Sequence, residues 1–299
     1  TANATFSGIL QNGTGILNVT KNGSGIQALS GLNTYTGVTT IAQGTLQVNQ
    51  LANGGVASSI GASSNAAANL VLGTPSTQGT LSYTGATTNI FQTTQAPSVS
   101  IDRLFSLGGI GAIDSSGTRG NNSVAAAGAQ NDATLIFNNT GAIGFVGAGS
   151  RTLVLQGTST GDNQINLQLI DNGTAPLSLT KSGGGTWVLG NASNDYSGAT
   201  TITAGALRAQ DDGTNATSAT TIEASTASTT LTVANSNGLA IGQVVSGAGI
   251  SGSPTITAIL DALHIQVSTS QTVASGTALS FTNNVGTLSA NSNLVLSGG

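Results

Sequence analysis

Apolar and polar residues alternate along most of this 299-residue chain, in short runs separated by turn residues. A period of two with β-branched side chains predicts strands that bury one face. Asn-Gly, Gly-Gly and Ser-Gly pairs between the runs predict tight turns. Asn65–Leu72 and Val124–Ala127 offer only weak helical patterns, so the sequence predicts an all-β protein. The clearest alternating runs are Leu135–Phe137, Thr152–Leu155, Gln164–Leu169, Leu177–Leu179, Leu231–Val233 and Ile265–Val267.

One long internal repeat is present. Residues 17–48 match residues 177–208 when a one-residue insertion is allowed. Both lysines of the chain, Lys21 and Lys181, fall at matching positions, as do the tyrosines Tyr35 and Tyr196. Biased composition would not place such rare residues in register twice. The other shared positions are Leu17/Leu177, Thr20/Thr180, Gly23/Gly183, Gly25/Gly185, Leu29/Leu189, Gly37/Gly198, Thr39/Thr200, Thr40/Thr201, Ile41/Ile202, Gly44/Gly205 and Leu46/Leu207.

Shorter echoes indicate stacked coils. Asn69–Leu72 and Asn293–Leu296 both read Asn-Leu-Val-Leu, and Gly-Thr-Leu occurs at 44–46, 79–81 and 286–288. A coil of short strands cannot bury its apolar side chains alone, whereas coils stacked about 4.8 Å apart pair their backbone amides and close an interior. We therefore predict a right-handed parallel β-helix.

The two copies resemble the autotransporter-associated β-strand repeat, which carries a Lys-x-Gly-x-Gly element followed by Tyr-x-Gly-x-Thr-x-Ile. The resemblance implies a large exported bacterial surface protein with a β-helical stem and an adhesive or scaffolding role. Gln27 stands where the second copy has Trp187, which departs from the shared pattern. The matching residues are Lys21, Gly23, Gly25, Leu29, Asn33, Tyr35, Gly37, Thr39, Thr40, Ile41, Gly44, Thr45 and Leu46 in the first copy, and Lys181, Gly183, Gly185, Thr186, Leu189, Tyr196, Gly198, Thr200, Thr201, Ile202, Gly205 and Leu207 in the second.

The organisation of the chain is predicted from where the repeat pattern lapses. Residues 216–282 are rich in Ala, Ser and Thr and lack the motif, and Gly238–Ile259 resembles small β-modules found between repeats in bacterial surface proteins. We expect a β-helix over residues 1–215, an inserted, protruding β-module over 216–282 and a return to the β-helix over 283–299. The alternative is that 216–282 forms more irregular coils.

Composition narrows the range of functions. Charged residues make up 5% of the chain, against roughly 25% in an ordinary domain. The net charge of −4 excludes a basic nucleic-acid-binding patch. No run reaches the roughly 18 apolar residues of a membrane-spanning helix. The absence of Cys excludes disulfides and thiolate metal sites, and the absence of Met indicates that Thr1 is not a translation start.

Several motifs that could carry chemistry have simpler explanations. Gly157–Gly161 has the Gly-x-Ser-x-Gly spacing of a nucleophile elbow, but no helix follows it and His264 is the only histidine. Gly247–Gly252 matches Gly-x-Gly-x-x-Gly but precedes a strand, so we expect a turn. Gly108–Asp114 is one residue off a calcium nonapeptide, which needs tandem copies. The acidic pair at 211–212 is expected in a solvated turn.

The remaining charged residues are assigned to predicted corners and surfaces. Asp102 and Arg103 are expected to form a local ion pair, and Lys21 and Lys181 should occupy equivalent corners with solvated heads. His264 is expected on a strand surface. The acids are sparse and fall in turns, which argues against the paired carboxylates of a glycosidase. We therefore expect no enzymatic activity, no catalytic, cofactor-binding or metal-binding residues, and no cofactor.

The predicted function follows from the ends of the solenoid. Neither Thr1–Gly8 nor Asn291–Gly299 resembles a capping coil, and an uncapped solenoid invites edge pairing. The leading hypothesis is a structural subunit of a bacterial extracellular fibre, whose partner is another copy or an adjoining segment of the same chain, stacked head to tail. The alternative is an adhesin stem whose module at 216–282 contacts a cell or host surface. A polysaccharide-acting enzyme is the remote alternative. Each implies a secreted or cell-surface location, with no nucleic acid partner and no membrane span.

Overall fold

The computed structural model describes residues 3–85, 99–117, 133–191, 193–209, 217–236, 239, 243–282 and 294–296. The described part of the chain is all-β apart from one 3-10 turn, Ala67–Asn69. This turn lies within the segment 65–72, whose sequence has a weak helical pattern. It divides into two compact units, Thr1–Ala209 with Gly286–Gly299, and Gln210–Val285. The predicted run at 124–127, the acidic pair at 211–212 and the third Gly-Thr-Leu at 286–288 lie outside the described residues.

The strands are short and follow one another closely along the chain. Up to residue 209 they are β1 (Ala4–Phe6), β2 (Val19–Lys21), β3 (Ile26–Leu29), β4 (Thr39–Ile41), β5 (Gly44–Val48), β6 (Leu70–Leu72), β7 (Gln78–Tyr83), β8 (Val99–Ile101), β9 (Ser106–Leu107), β10 (Ile110–Ser115), β11 (Leu135–Phe137), β12 (Gly144–Phe145), β13 (Arg151–Gln156), β14 (Asn163–Ile165), β15 (Leu177–Lys181), β16 (Thr186–Leu189), β17 (Thr200–Ile202) and β18 (Ala206–Ala209). The second unit holds β19 (Thr217–Thr220), β20 (Ser225–Thr232), β21 (Val244–Gly247), β22 (Ile256–Ile259), β23 (His264–Val273) and β24 (Ala278–Thr282), and β25 (Leu294–Leu296) returns to the first unit.

Three parallel sheets build the first unit. Face 1 has the strand order β1-β3-β5-β7-β10-β13-β15-β17-β25, face 2 has β18-β16-β14-β11-β8, and face 3 has β12-β9-β6-β4-β2. From β8 to β14 the chain visits face 2, face 3 and face 1 in turn, and each strand pairs in parallel with the strand one coil away. This arrangement confirms the predicted parallel β-helix.

A ladder of inward-facing side chains forms the interior behind face 1. Leu46, Leu81, Ile113 and Leu155 lie opposite one another in successive rungs, and none is more than 1% exposed. Stacking similar side chains in this way removes apolar surface from water along the whole axis. The next position in the same ladder is Lys181, which lies opposite Leu155 and is 0% exposed.

The second unit has its own core between two antiparallel sheets. Their strand orders are β19-β24-β21 and β20-β23-β22. The segment Gly247–Gly252 begins at the last residue of β21 and continues into the turn before β22, and its three glycines adopt positive φ angles. The predicted module, 216–282, falls within this unit. Its buried apolar residues are Leu231, Val233, Leu239, Val245, Ile256, Ile265, Val267, Val273, Leu279 and Phe281.

Candidate functional site

The two repeats occupy different corners of the β-helix. In the first copy, β2 and β4 lie on face 3 while β3 and β5 lie on face 1. In the second copy, β15 and β17 lie on face 1 while β16 and β18 lie on face 2. Each repeat therefore consists of one corner carried through two successive rungs, and the same sequence pattern serves two corners that join different faces.

A buried lysine holds the corner of the second copy. The Nζ atom of Lys181 donates to the backbone oxygens of Ser182 (2.7 Å), Gly183 (2.7 Å) and Ala204 (3.1 Å). An ammonium group has three N–H donors, so these three carbonyls match its capacity. The first two oxygens belong to the lysine's own rung and the third to the next rung, so the ammonium group ties two coils together. Burial lowers the pKa of Lys181.

The first copy has the same arrangement, in which a lysine ammonium group is hydrogen-bonded to three backbone oxygens of two successive rungs, but it is less buried. We call this arrangement the lysine clasp. Nζ of Lys21 donates to the oxygens of Asn22 (3.0 Å), Gly23 (2.6 Å) and Gln43 (3.0 Å). Lys21 is half-buried rather than fully buried. The two lysines occupy equivalent positions of their repeats, although the repeats lie at different corners of the β-helix. The prediction of a solvated head is wrong for Lys181, whose ammonium group is buried among backbone oxygens, whereas the ammonium group of Lys21 binds the same kind of oxygens and stays partly exposed.

The clasp leaves room only for glycine where the next rung turns. Gly44 and Gly205 have φ angles of 74° and 69°. A Cβ at Gly205 would lie 2.4 Å from the oxygen of Gly183 and 2.7 Å from Nζ of Lys181. The positive φ also disfavours any residue with a side chain. The glycine shared by the two copies is thus part of the clasp.

In each repeat, a buried tyrosine is hydrogen-bonded to a buried threonine. The hydroxyl groups of Tyr35 and Thr39 are 2.7 Å apart, as are those of Tyr196 and Thr200. All four side chains are at most 1% exposed. Burying a hydroxyl group costs free energy unless the group is hydrogen-bonded. The threonine therefore allows the tyrosine to be buried in the core at the start of the second rung of the repeat.

A carboxyl or amide oxygen also bridges the two rungs of each repeat. In the second copy, Oδ1 of Asp171 accepts from the backbone N–H groups of Leu177 (2.8 Å) and Ser197 (2.9 Å). Burial alone would raise the pKa of Asp171, but the hydrogen bonds from Ser197 and Leu177 hold it below the ordinary value of 3.8.

The sequence comparison missed this bridge because it lies upstream of the matched residues. In the first copy, Oδ1 of Asn12 accepts from the N–H groups of Leu17 (3.0 Å) and Thr36 (3.2 Å). The signal was the Asn-Gly-Thr sequence at 12–14 and 172–174. A one-residue difference in spacing puts an asparagine at the bridge in one copy and an aspartate in the other.

The Asp171→Asn variant is expected to lose less stability in acid than the wild-type chain. A depressed folded-state pKa gives stability that is complete above the ordinary pKa near 3.8 and is lost as pH falls through the folded value. The amide keeps the acceptor oxygen but does not titrate. Chemical denaturation at pH 5 and pH 3 measures the difference. Asn12→Asp is the matched reverse change and should increase the acid loss; identical losses in all three proteins would contradict the bridge.

Two arginines are held in the same way as the lysines. Arg103, 2% exposed, donates to the oxygens of Ala52 (2.9 Å) and Gly61 (2.9 Å) and to Oγ of Ser63 (3.0 Å). The predicted ion pair with Asp102 is wrong, because Asp102 instead accepts from the backbone N–H of Gly54 (2.7 Å) and from Asn65 Nδ2 (3.2 Å). Arg151 donates to six backbone oxygens, those of Leu107, Val146, Gly147, Ala148, Gly149 and Ser150.

The other sequence motifs have structural roles where they are described. Ser159 of the Gly-x-Ser-x-Gly segment is 1% exposed, and its hydroxyl donates to the oxygen of Ala133 (3.2 Å). Asp114 accepts from Ser82, Ser116 and Gln156. Within the described ranges, no three potential metal ligands cluster. No helix in the described part of the chain is long and apolar enough to cross a membrane.

His264 begins β23 in the second unit. Its Nδ1 lies 2.7 Å from Oδ1 of Asp261, and both side chains are partly exposed. Asp261 also accepts from the backbone N–H of Leu263 (2.8 Å) and of His264 (2.9 Å), which caps the hairpin between β22 and β23.

An apolar rung is exposed at the β1 side of face 1. Within the described residues, β1 is an edge strand that pairs only with β3. Phe6 is 41% exposed although it lies in register with Leu29, which is 5% exposed. Ile9 and Ile16 are 61% and 69% exposed. Beside this rung is an open hollow of about 390 Å³ lined by Ala4 and residues 21–27.

Together these features define a repeat-bearing parallel β-helix, in which each repeat ties one corner through two rungs. The passenger-associated-transport-repeat family model matches residues 19–48 and 179–209. The chain therefore carries two copies of this autotransporter-associated repeat, as its sequence pattern predicts. It is 39% identical over 171 residues, 56% of its length, to the adhesin BmaC autotransporter of Brucella suis biovar 1 (strain 1330). It spans 4% of that adhesin's length. No solved structure matches the chain.

Proposed function

We propose that this chain is a β-helical stem segment of a large bacterial surface adhesin, located outside the cell or on its surface. The observation that carries the proposal is the 39% identity to an autotransporter adhesin, combined with repeats that fix the stacking of coils. Carbonyl-held cations suit a stem because they stabilise corners without exposing charge. The proposed role is structural and adhesive rather than enzymatic.

The partner proposed for the exposed rung is another β-helical rung, from an adjoining segment or from a second copy. Phe6, Ile9 and Ile16 would be covered by such a rung, as Leu29 is covered by β1. The outer backbone edge of β1 is free within the described residues, and a parallel strand would pair with it. Such pairing is expected both in a continuous stem and in a fibre. The two are distinguished by whether the purified chain assembles into filaments.

The second unit is the proposed contact with a cell or host surface. Leu260 and Leu263, 55% and 40% exposed, lie on the hairpin between β22 and β23. That hairpin is ordered by hydrogen bonds, because Ser236 Oγ donates to the oxygen of Asp261 (2.8 Å) and the Asp261 carboxylate caps the turn. Rigid exposed apolar side chains bind with a small entropy cost.

The test compares adhesion by bacteria that display the intact gene product with adhesion by bacteria whose product lacks residues 210–285. We expect similar amounts at the surface and a loss of adhesion in the deletion strain. Leu260→Ser/Leu263→Ser should weaken adhesion without changing display, and Ile222→Ser, at another exposed apolar position, is the control. Unchanged adhesion would overturn the contact role. Long filaments formed by the purified chain in electron microscopy would favour the fibre subunit over the stem.

A further inference from the structure

Asn-Gly pairs recur at the turns of this chain, and the structure distinguishes one of them. Asparagine side chains at three of the described pairs are held by hydrogen bonds. Asn12 Oδ1 accepts from Leu17 and Thr36, Asn53 Oδ1 accepts from Asp102, and Asn172 Nδ2 donates to Gly147 and Gly149. The fourth pair, Asn22 and Gly23, lies in the lysine clasp of the first repeat.

The Asn22 side chain is exposed and makes no hydrogen bond to any described residue. The backbone N–H of Gly23 likewise has no acceptor within the described ranges. Gly23 has a φ of 80°, and a Cβ built on it would meet nothing within 4 Å. The side-chain amide and the nitrogen that follows it are therefore both unhindered.

The Lys21 ammonium group is hydrogen-bonded to the backbone carbonyl that lies between these two groups. Nζ of Lys21 donates to the oxygen of Asn22 at 3.0 Å, and to the oxygen of Gly23 at 2.6 Å. When the Gly23 nitrogen loses its proton, the resulting charge is shared with the Asn22 oxygen. A donor placed where negative charge develops lowers the barrier to forming that species.

We propose that Asn22 is a self-modifying site, at which the Lys21 ammonium group promotes conversion of the asparagine to aspartate and isoaspartate. The Gly23 nitrogen gives its proton to solvent hydroxide and attacks Cγ of Asn22, forming an N–Cγ bond. The side-chain amide leaves as ammonia after taking a proton from water, which leaves a succinimide. A water molecule then adds to either ring carbonyl and opens the ring to a carboxylate. The net change is uptake of one water and release of one ammonia.

The second repeat provides a comparison site with a serine in place of the asparagine, although its lysine is fully buried and Ser182 is half-buried. Lys181 makes the same contacts with Ser182 and Gly183. Gly183 stays exposed even though a neighbouring rung covers this corner, with Ser182 N donating to Leu155 O at 3.0 Å. Stacking of a further rung on the first repeat would accordingly leave Gly23 exposed and cover Asn22 only in part, since Ser182 at the matching position is half-buried.

The experiment follows ammonia loss in the purified chain during incubation at mildly alkaline pH, with peptide mapping by mass spectrometry. We expect conversion at Asn22 to be at least about tenfold faster than at Asn12 or Asn172, a factor that corresponds to about 1.4 kcal/mol of barrier. Lys21→Met should slow conversion at Asn22 several-fold. Equal rates at the three asparagines would overturn the proposal.

Two further variants separate the role of the cation from loosening of the corner. Ser182→Asn should create a second fast site beside Lys181, and Lys21→Arg should retain most of the rate at Asn22. A Lys21→Met protein that reacts as fast as or faster than the wild-type chain would contradict the role of the ammonium group. Circular dichroism establishes that each variant remains folded during the incubation.

Discussion

Replacing Trp187 with alanine is expected to lower the free energy of unfolding by about 4 kcal/mol. Trp187 is the largest fully buried side chain and is part of the core of the first unit. Its Nε1 donates to the oxygen of Gln156 at 2.8 Å, one rung away. The substitution would leave a cavity between rungs and an unpaired carbonyl. Urea denaturation monitored by far-ultraviolet circular dichroism measures the change, since the variant loses the chain's one tryptophan.

The matched control is Gln27→Ala at the equivalent position of the first repeat. Gln27 is half-buried, and its amide donates to the oxygen of its neighbour Ala28 at 3.0 Å rather than to another rung. We expect a loss below about 1 kcal/mol. Equal losses for the two variants would show that Trp187 does not join rungs as the structure indicates.

The Lys181→Met variant is expected to unfold with a free energy about 3 kcal/mol lower than that of the wild-type chain. Methionine fills a similar volume but leaves the oxygens of Ser182, Gly183 and Ala204 without their donor. Because Lys181 is 0% exposed, water cannot take its place without opening the corner. The same denaturation experiment measures the effect.

Lys21→Met is the control for this clasp. Lys21 makes the same three kinds of contact but is half-buried, so water can satisfy the oxygens of Asn22 and Gly23 after the substitution. We expect a loss of about 1 kcal/mol. A larger loss for Lys21 than for Lys181 would contradict burial as the source of the effect.

The ladder of the β-helix was predictable because it is encoded locally. Alternation specifies which side chains of a strand point inward, and the repeated rare residues fix the register of the two copies. The use of different faces by the two copies was not predictable. Each repeat encodes one corner and two rungs, and the face on which a corner lies depends on the lengths of all the preceding connections.

The polar contacts of the buried lysines and arginines were not predictable, for a different reason. The partners of Lys21, Lys181, Arg103 and Arg151 are mainly backbone oxygens, which carry no sequence pattern. The sequence predicted solvated heads for the two lysines and an ion pair for Arg103, whereas these cations hold corners and loops through backbone oxygens. The only sign of the Asp171 bridge in the sequence is the Asn-Gly-Thr sequence that precedes both copies of the repeat.

Disulfide formation between adjacent rungs tests parallel, in-register stacking most directly. Thr152 and Ser178 are register partners on neighbouring strands of face 1, at a spacing of about 4.8 Å that a disulfide can span. The chain has no cysteine of its own, so the Thr152→Cys/Ser178→Cys protein gives an unambiguous result under mild oxidation. We predict near-complete intramolecular disulfide in this protein and little in Thr152→Cys/Thr180→Cys, which is two residues out of register. The opposite ranking, or no disulfide in either protein, would contradict the stacked β-helix.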